Sequence, residues 1–248
     1  MTISLHQTET CAPKSFTKAA TKEKTTTLIQ KLDDLQNLLF AEKKHSLLVI
    51  LQGMDCSGKD GVLRHVFNHF NPINIQVHSF SVPTKEEIAH DFLWRAHKYT
   101  PAKGMVQIFN RSYYDDVLET RVHKQCSDAE AKQRMNAINH FEQLLKEDNN
   151  TTILKFYLHV SQSQQEKRMQ ERVDNPAKHW KFDAADYKEI ALRDEYIKMY
   201  EDAIHHCKKI PWTIVPADKN WYKEYIISKT VVETLEAFNM KYPLLRDL

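Results

Sequence analysis

Glycine is scarce in this chain, four residues in 248, and no stretch mixes glycine with serine in the manner of a flexible linker. The four cysteines, Cys11, Cys56, Cys126 and Cys207, show neither a CxxC pair nor metal-type spacing, so no disulfide framework is expected. No run of apolar residues approaches the roughly 18 that a membrane span requires. The start, MTISLHQTETCAPKSF, lacks the apolar centre of a secretory signal, and the expectation is a cytoplasmic protein with no membrane partner. An excess of one charge is also missing. With 35 Lys and Arg against 33 Asp and Glu the net charge is +2, which gives no field to attract nucleic acid, so any polyanion site must be built locally. The remainder is globular: 42% hydrophobic and 27% charged residues suit one α/β domain with a sizeable core.

The most informative stretch is Gly53-Met54-Asp55-Cys56-Ser57-Gly58-Lys59-Asp60, which follows the apolar run Leu47 to Leu51. A strand leading through a glycine-rich loop into a helix makes a phosphate cradle. Backbone N–H groups turn inward at Gly53 and Gly58, Lys59 adds a point charge, and the helix N-terminus adds its dipole. The usual loop places Ser or Thr after the lysine to hold Mg²⁺. Here Asp60 stands there, and a carboxylate, Asp55, sits inside the loop. Such a carboxylate would repel phosphate unless metal lay between them, so Asp55 reads as a magnesium ligand and the chain as a phosphoryl-transfer enzyme.

Apolar spacing predicts a loose arm over residues 1–20 and a helix from Leu28 to Lys44. Strands are predicted at 47–51, 75–80, 105–109, 152–158 and 212–215. Val62, Val66 and Phe70 mark a helix ending at Asn71-Pro72, and the pairs Thr84/Glu87 and Ser127/Glu130 form capping boxes for helices to about Tyr99 and Glu147. Charged helices are predicted at 161–173 and 183–208, and a last one at 218–238. Strands alternating with helices imply a parallel sheet covered on both faces, with ligands at the carboxyl ends of the strands.

That rule brings Asn110-Arg111-Ser112-Tyr113-Tyr114-Asp115-Asp116, directly after the third strand, beside the phosphate loop. An arginine there neutralises charge on a moving phosphoryl group, and a carboxylate holds Mg²⁺ or orients the accepting oxygen. Equally, Asp115 and Asp116 suit a solvated helix start that satisfies the dipole. Arg168 and Arg172, four apart, lie on one helix face and could clamp successive phosphates, although i,i+4 pairing with Glu166, Glu171 and Asp174 explains the spacing as well. Lys178-His179-Trp180-Lys181, in a proline-containing loop, suits a lid hinge. His65 and His69 lack the glutamate of a metalloprotease pair and read as surface or core histidines.

Five ordered motifs, QGMDCSGKDG (52–61), PTKEEIAHDFLWRAHKYTPAKG (83–104), IFNRSYYDDVL (108–118), ILKFYLHVS (153–161) and VPADKNWY (215–222), together resemble the second polyphosphate kinase family over about residues 21 to 238. The resemblance implies a three-layer α/β/α parallel-sheet P-loop kinase core, thymidylate-kinase-like, as a single domain over residues 21–248. A helical lid at about 161–208 and a homodimer or homotetramer are implied with it. It also implies Mg²⁺-dependent transfer between inorganic polyphosphate and nucleotides, AMP and ADP with GMP and GDP in reach, as in the branch acting on both mono- and diphosphates. Carried over by motif, the catalytic set is Asp55, Lys59, Arg111 and Asp116, with Asp55 and Asp116 as metal ligands. Gly53, Gly58, Lys59, Arg64, Arg168, Arg172 and Lys181 would bind the phosphate chain, and Asn110, Arg111 and Asp115 the nucleotide. Cys56, Ile190 and Arg193 depart from the residues that relatives tend to carry. Two alternatives stay open: an ATP-dependent nucleotide or small-molecule kinase on the same core, and a binding protein without turnover.

Overall fold

The computed structural model describes residues 3–183 and 185–245. Its centre is a five-stranded parallel sheet in the order β2-β3-β1-β4-β5. The strands are β1 (Ser46–Gln52), β2 (Ile75–Ser79), β3 (Val106–Asn110), β4 (Thr151–His159) and β5 (Trp212–Pro216). Every residue of β1 is buried, as a central parallel strand with both faces covered requires. Its side chains alternate. Leu47, Val49 and Leu51 face a core with Leu32, Leu39, Val62, Ile227 and Val231, whereas Leu48 and Ile50 face Ile138, Phe141, Tyr157, Tyr200 and Ile204. Each such aliphatic side chain contributes about 1.5–3 kcal/mol of burial.

The first core is closed by α1 (Lys18–Glu42), α2 (Lys59–Val62) and α10 (Asn220–Glu236), and the second by α6 (Asp128–Asp148) and α9 (Arg193–His206). Between these lie the short helices α3 (Lys85–Ile88), α4 (Trp94–His97) and α5 (Glu119–Val122), then α7 (Gln162–Asp174) and α8 (Ala185–Ala191). Both predicted capping boxes are present, at Thr84/Glu87 and Ser127/Glu130. Because β1 lies between β3 and β4, three segments leave the same edge of the sheet side by side: the loop after β1, the turn after β3 and the start of α7 after β4. That is the switch point where a doubly wound sheet opens a crevice.

Several elements differ from the sequence reading, each for a local reason. The helix predicted from Thr84 to about Tyr99 is broken, because the Asp91 side chain accepts the Leu93 N–H (3.0 Å) and offers the backbone a turn instead. The helix after the phosphate loop widens to a π-turn over Leu63–Phe67, which brings both Val66 and Phe67 into the core. The N-terminal arm is pinned rather than loose. Leu5 is buried, its N–H donates to Glu201 (2.6 Å), its carbonyl meets His159 Nε2 (2.9 Å), and Thr10 Oγ1 donates to Asp218 (2.8 Å). A single apolar anchor among polar residues leaves no periodicity to read.

Candidate active site

At Gly53 the chain leaves the sheet and must reverse into α2 within a few residues. It does so with φ of 150° at Gly53, 61° at Cys56 and 94° at Gly58. Neither glycine can be replaced without strain. A Cβ on Gly53 would lie 2.8 Å from the carbonyl oxygen of Leu158, and one on Gly58 would collide with Nζ of Lys223. Cys56 takes the left-handed conformation at a cost of about 1–2 kcal/mol, a strain the surrounding loop sustains.

Lys59 opens α2 and folds back over the loop, donating to the carbonyl oxygens of Gly53 (2.6 Å) and Met54 (3.3 Å). Burial, reinforced by the Arg111 cation, lowers its pKa to about 8 against the pull of Asp55 and Asp115. Arg111, just beyond β3, also has a left-handed backbone, with φ of 62°. Its N–H donates to Leu51 O (3.0 Å), which fixes the turn against β1, and its guanidinium meets Asp55 at 2.7 Å and Glu119 at 3.7 Å. Burial works against that charge, yet Asp115 and Asp55 hold the guanidinium pKa above its ordinary value.

Asp115 accepts from Gln52 Nε2 (3.1 Å), and Gln52 is itself held by Tyr200 OH (3.2 Å). Burial raises the pKa of Asp115 despite Arg111, and burial together with Asp115 raises that of Glu119. Asp55, Arg111, Asp115 and Glu119 line a narrow pocket roofed by Glu189 of α8 and Tyr196 of α9. On the other side of Asp55 and Lys59 opens a cationic cleft of about 490 Å³, lined by Arg64, Arg172, Lys178 and Lys181. Lys181 reaches from the turn after α7 to Asp60 (2.7 Å), and Arg172 donates to its backbone carbonyl (3.1 Å), so the turn is tied down over the cleft. Burial opposes ionisation of Asp60, but the Lys181 hydrogen bond and charge prevail and lower its pKa. An acidic pocket with one arginine thus shares a wall with a basic groove, and the phosphate loop is that wall.

A family model described as polyphosphate kinase 2 matches residues 15–243. The chain belongs to the polyphosphate kinase 2 family. A Meiothermus ruber protein named AMP/ADP-polyphosphate phosphotransferase is 46% identical over 228 residues, covering 91% of this chain and 85% of its own length. A Rhodopseudomonas palustris ADP-polyphosphate phosphotransferase is 42% identical over 231 residues, 88% of this chain and 80% of that one. The crystal structure of polyphosphate kinase 2 from Arthrobacter aurescens superposes with a TM-score of 0.94 at 39% identity, over 98% of this chain and 88% of that one.

In this polyphosphate kinase 2 family member, the fold brings together Gly53, Asp55, Gly58, Lys59, Arg64, Asn110, Arg111, Asp115, Arg172 and Lys181 at the two cavities. Asn110 donates to Ser79 Oγ (3.2 Å) and toward Asp60 (3.5 Å). Asp116 is not among them. It turns into the protein, where its carboxylate pairs with buried Arg95 at 2.9 Å, and it lines neither cavity with the other expected site residues. Successive residues of the 3-10 turn Tyr113–Val117 diverge, and only Asp115 faces the pocket.

Arg168 lines the cleft, but its guanidinium does not form the expected open phosphate clamp. It donates to the carbonyl oxygens of Cys56 (2.8 Å) and Ala217 (2.8 Å) and to Asn220 (3.1 Å), bracing the loop against the turn before α10. Sequence reasoning missed Glu119, Glu189, Tyr196 and Lys223, which stand outside the quoted motifs. Arg193, flagged only as a departure, is buried and ties the start of α9 to Val160 O (2.6 Å) and Gln165 (2.7 Å).

Proposed function

We propose that this protein transfers phosphoryl groups between inorganic polyphosphate and nucleoside mono- and diphosphates, AMP and ADP foremost. The observation that carries the reading is the two-sided site, a roomy cationic cleft and a compact polar pocket meeting at Asp55 and Arg111, with Lys59 on the cleft side. A chain of phosphates suits the cleft, whose cations come from α2, the π-turn that follows it and the segment from α7 to Lys181. The nucleotide's terminal phosphate would meet the chain end beside Arg111. That acceptor is already ionised at neutral pH, so positioning and charge neutralisation do the catalysis, and no strong base is required.

The residues fit Mg²⁺. Asp55 offers a hard oxygen donor beside Asp115 and Glu119, and among the described residues no three-ligand protein cluster exists, which suits an ion shared between one or two carboxylates and substrate phosphates. Bound there, Mg²⁺ would supply charge neutralisation on the phosphates. Lys59 would release the Gly53 and Met54 carbonyls to take a phosphate oxygen. Arg111, held by Asp55 and Glu119, would face charge building on the transferred group, and the lid segment from α7 to α9 would exclude water and so favour transfer over hydrolysis.

The reading includes a cytoplasmic setting and a homodimer or homotetramer; among the described residues no helix is long and apolar enough to cross a membrane. The test is ATP formation from AMP or ADP with long-chain polyphosphate as sole phosphoryl donor and Mg²⁺ present. Formation of ATP supports the reading; phosphorylation of AMP by ATP with none by polyphosphate replaces it with an ATP-dependent kinase.

A further inference from the structure

Lys223, on the first turns of α10, has no accessible surface, yet its Nζ points at the phosphate loop. It donates to Gly58 O (2.9 Å), Asn220 Oδ1 (3.2 Å) and, more weakly, Ser57 O (3.5 Å). Beside it, Arg168 Nη1 takes Cys56 O (2.8 Å) and Ser57 O (3.2 Å). Two cations therefore hold successive carbonyls on one side of the loop. In a trans peptide the carbonyl and the next N–H point in opposite directions, and no peptide bond here is cis. Fixing Ser57 O aims the Gly58 N–H the other way, and fixing Gly58 O aims the Lys59 N–H. The Ser57 N–H is already bonded to Met54 O (3.1 Å), so these are amides that a phosphate would meet.

We propose that Lys223 is a positioning residue for the phosphate loop, holding its carbonyls back so that the amides face phosphate, and that its protonation couples polyphosphate affinity to pH. The inference rests on the proposed function. Geometry supplies the first half: the same Nζ occupies the space a side chain at position 58 would need.

Charge supplies the second half. Burial, then Arg168 from α7, and also Lys59 from α2, disfavour the ammonium, while Glu224 on its own helix and Asp60 favour it; the balance lowers the pKa to about 7. A polyanion entering the cleft adds the missing negative charge and stabilises the protonated amine. Polyphosphate binding near neutrality therefore takes up a proton at Lys223, and affinity falls as pH rises through the free-state value.

The experiment measures KM for long-chain polyphosphate and kcat from about pH 6 to about pH 9, with calorimetric proton uptake in buffers of different ionisation enthalpy, for wild type and Lys223→Met. In wild type, KM should rise from about pH 6 upward and binding should take up protons. Lys223→Met should bind about tenfold more weakly near pH 6, take up fewer protons, and come closer to wild type above about pH 8.

A variant whose KM profile and proton uptake match wild type overturns the proposal. So does wild-type binding without proton uptake near neutrality, a measurement that stands even if Lys223→Met does not fold. Failure of wild type to make ATP from polyphosphate sinks the proposed function instead, and leaves proton uptake on binding as a separate reading.

Discussion

Replacing Arg111 separates stability from catalysis more cleanly than any other change at the site. Its side chain is 36% exposed and that of its partner Asp55 24%, so solvent screens the pair and its share of stability is about 1 kcal/mol or less. The backbone at this position is left-handed, a conformation that costs a non-glycine residue about 1–2 kcal/mol. Arg111→Ala should therefore lower Tm by only about 2–4 °C, and Arg111→Gly, which relieves the strain, should be about as stable as wild type.

Both variants remove the cation proposed to face the transferred group. By analogy with the loss of one oxyanion donor, kcat should fall about 10²–10³-fold, or about 2.7–4 kcal/mol, while KM for either substrate moves less than about tenfold. A second signature comes from Lys59. Burial and the Arg111 cation both lower its pKa to about 8, so without Arg111 the amine stays charged to higher pH, and the alkaline limb of activity should move upward. Steady-state kinetics across pH, with thermal unfolding of the same samples, decides the matter. An unchanged kcat with a raised KM would refute the reasoning.

Gly58→Ala puts a Cβ at a positive φ and against Lys223 Nζ, so it should destabilise the loop by about 1–2 kcal/mol and slow transfer; thermal unfolding and initial rates would show it, and wild-type values in both would contradict the loop geometry. Asp116→Ala leaves Arg95 buried without its carboxylate and should destabilise by about 3–5 kcal/mol in denaturant titration, with little change in the Mg²⁺ dependence of the folded enzyme. Lys181→Ala breaks an exposed tie to Asp60, so stability should change by about 1 kcal/mol at most, whereas KM for polyphosphate should rise several-fold in rate assays at low salt.

The central strand was legible because it is a continuous apolar run, and residues 47–51 differ from the observed strand by one residue at each end. The loop was legible because glycine, lysine and aspartate in that register have few other uses. Less legible was anything decided by a single turn. Asp115 and Asp116 are chemically identical in the sequence, and only the 3-10 geometry sends one to the pocket and the other to Arg95. Arg168 carried the right charge at the right spacing, but its five-donor fork found carbonyl oxygens of the loop and of the turn before α10, which no pattern announces. Lys223 was invisible for the same reason: a lysine in an amphipathic helix reads as solvated until the fold buries it. The N-terminal anchor at Leu5 and the pocket residues Glu189 and Tyr196 depend on contacts across most of the chain.

The central claim is that Asp55 and Lys59 grip a chain of phosphates at the loop after β1. Lys59 Nζ rests on the Gly53 carbonyl at 2.6 Å. Its most direct test is a crystal structure with Mg²⁺ and a non-hydrolysable polyphosphate mimic. The account expects that amine to have moved onto a phosphate oxygen, with the Asp55 carboxylate against the ion. Finding Lys59 still on Gly53, and the anion bound elsewhere, would contradict it.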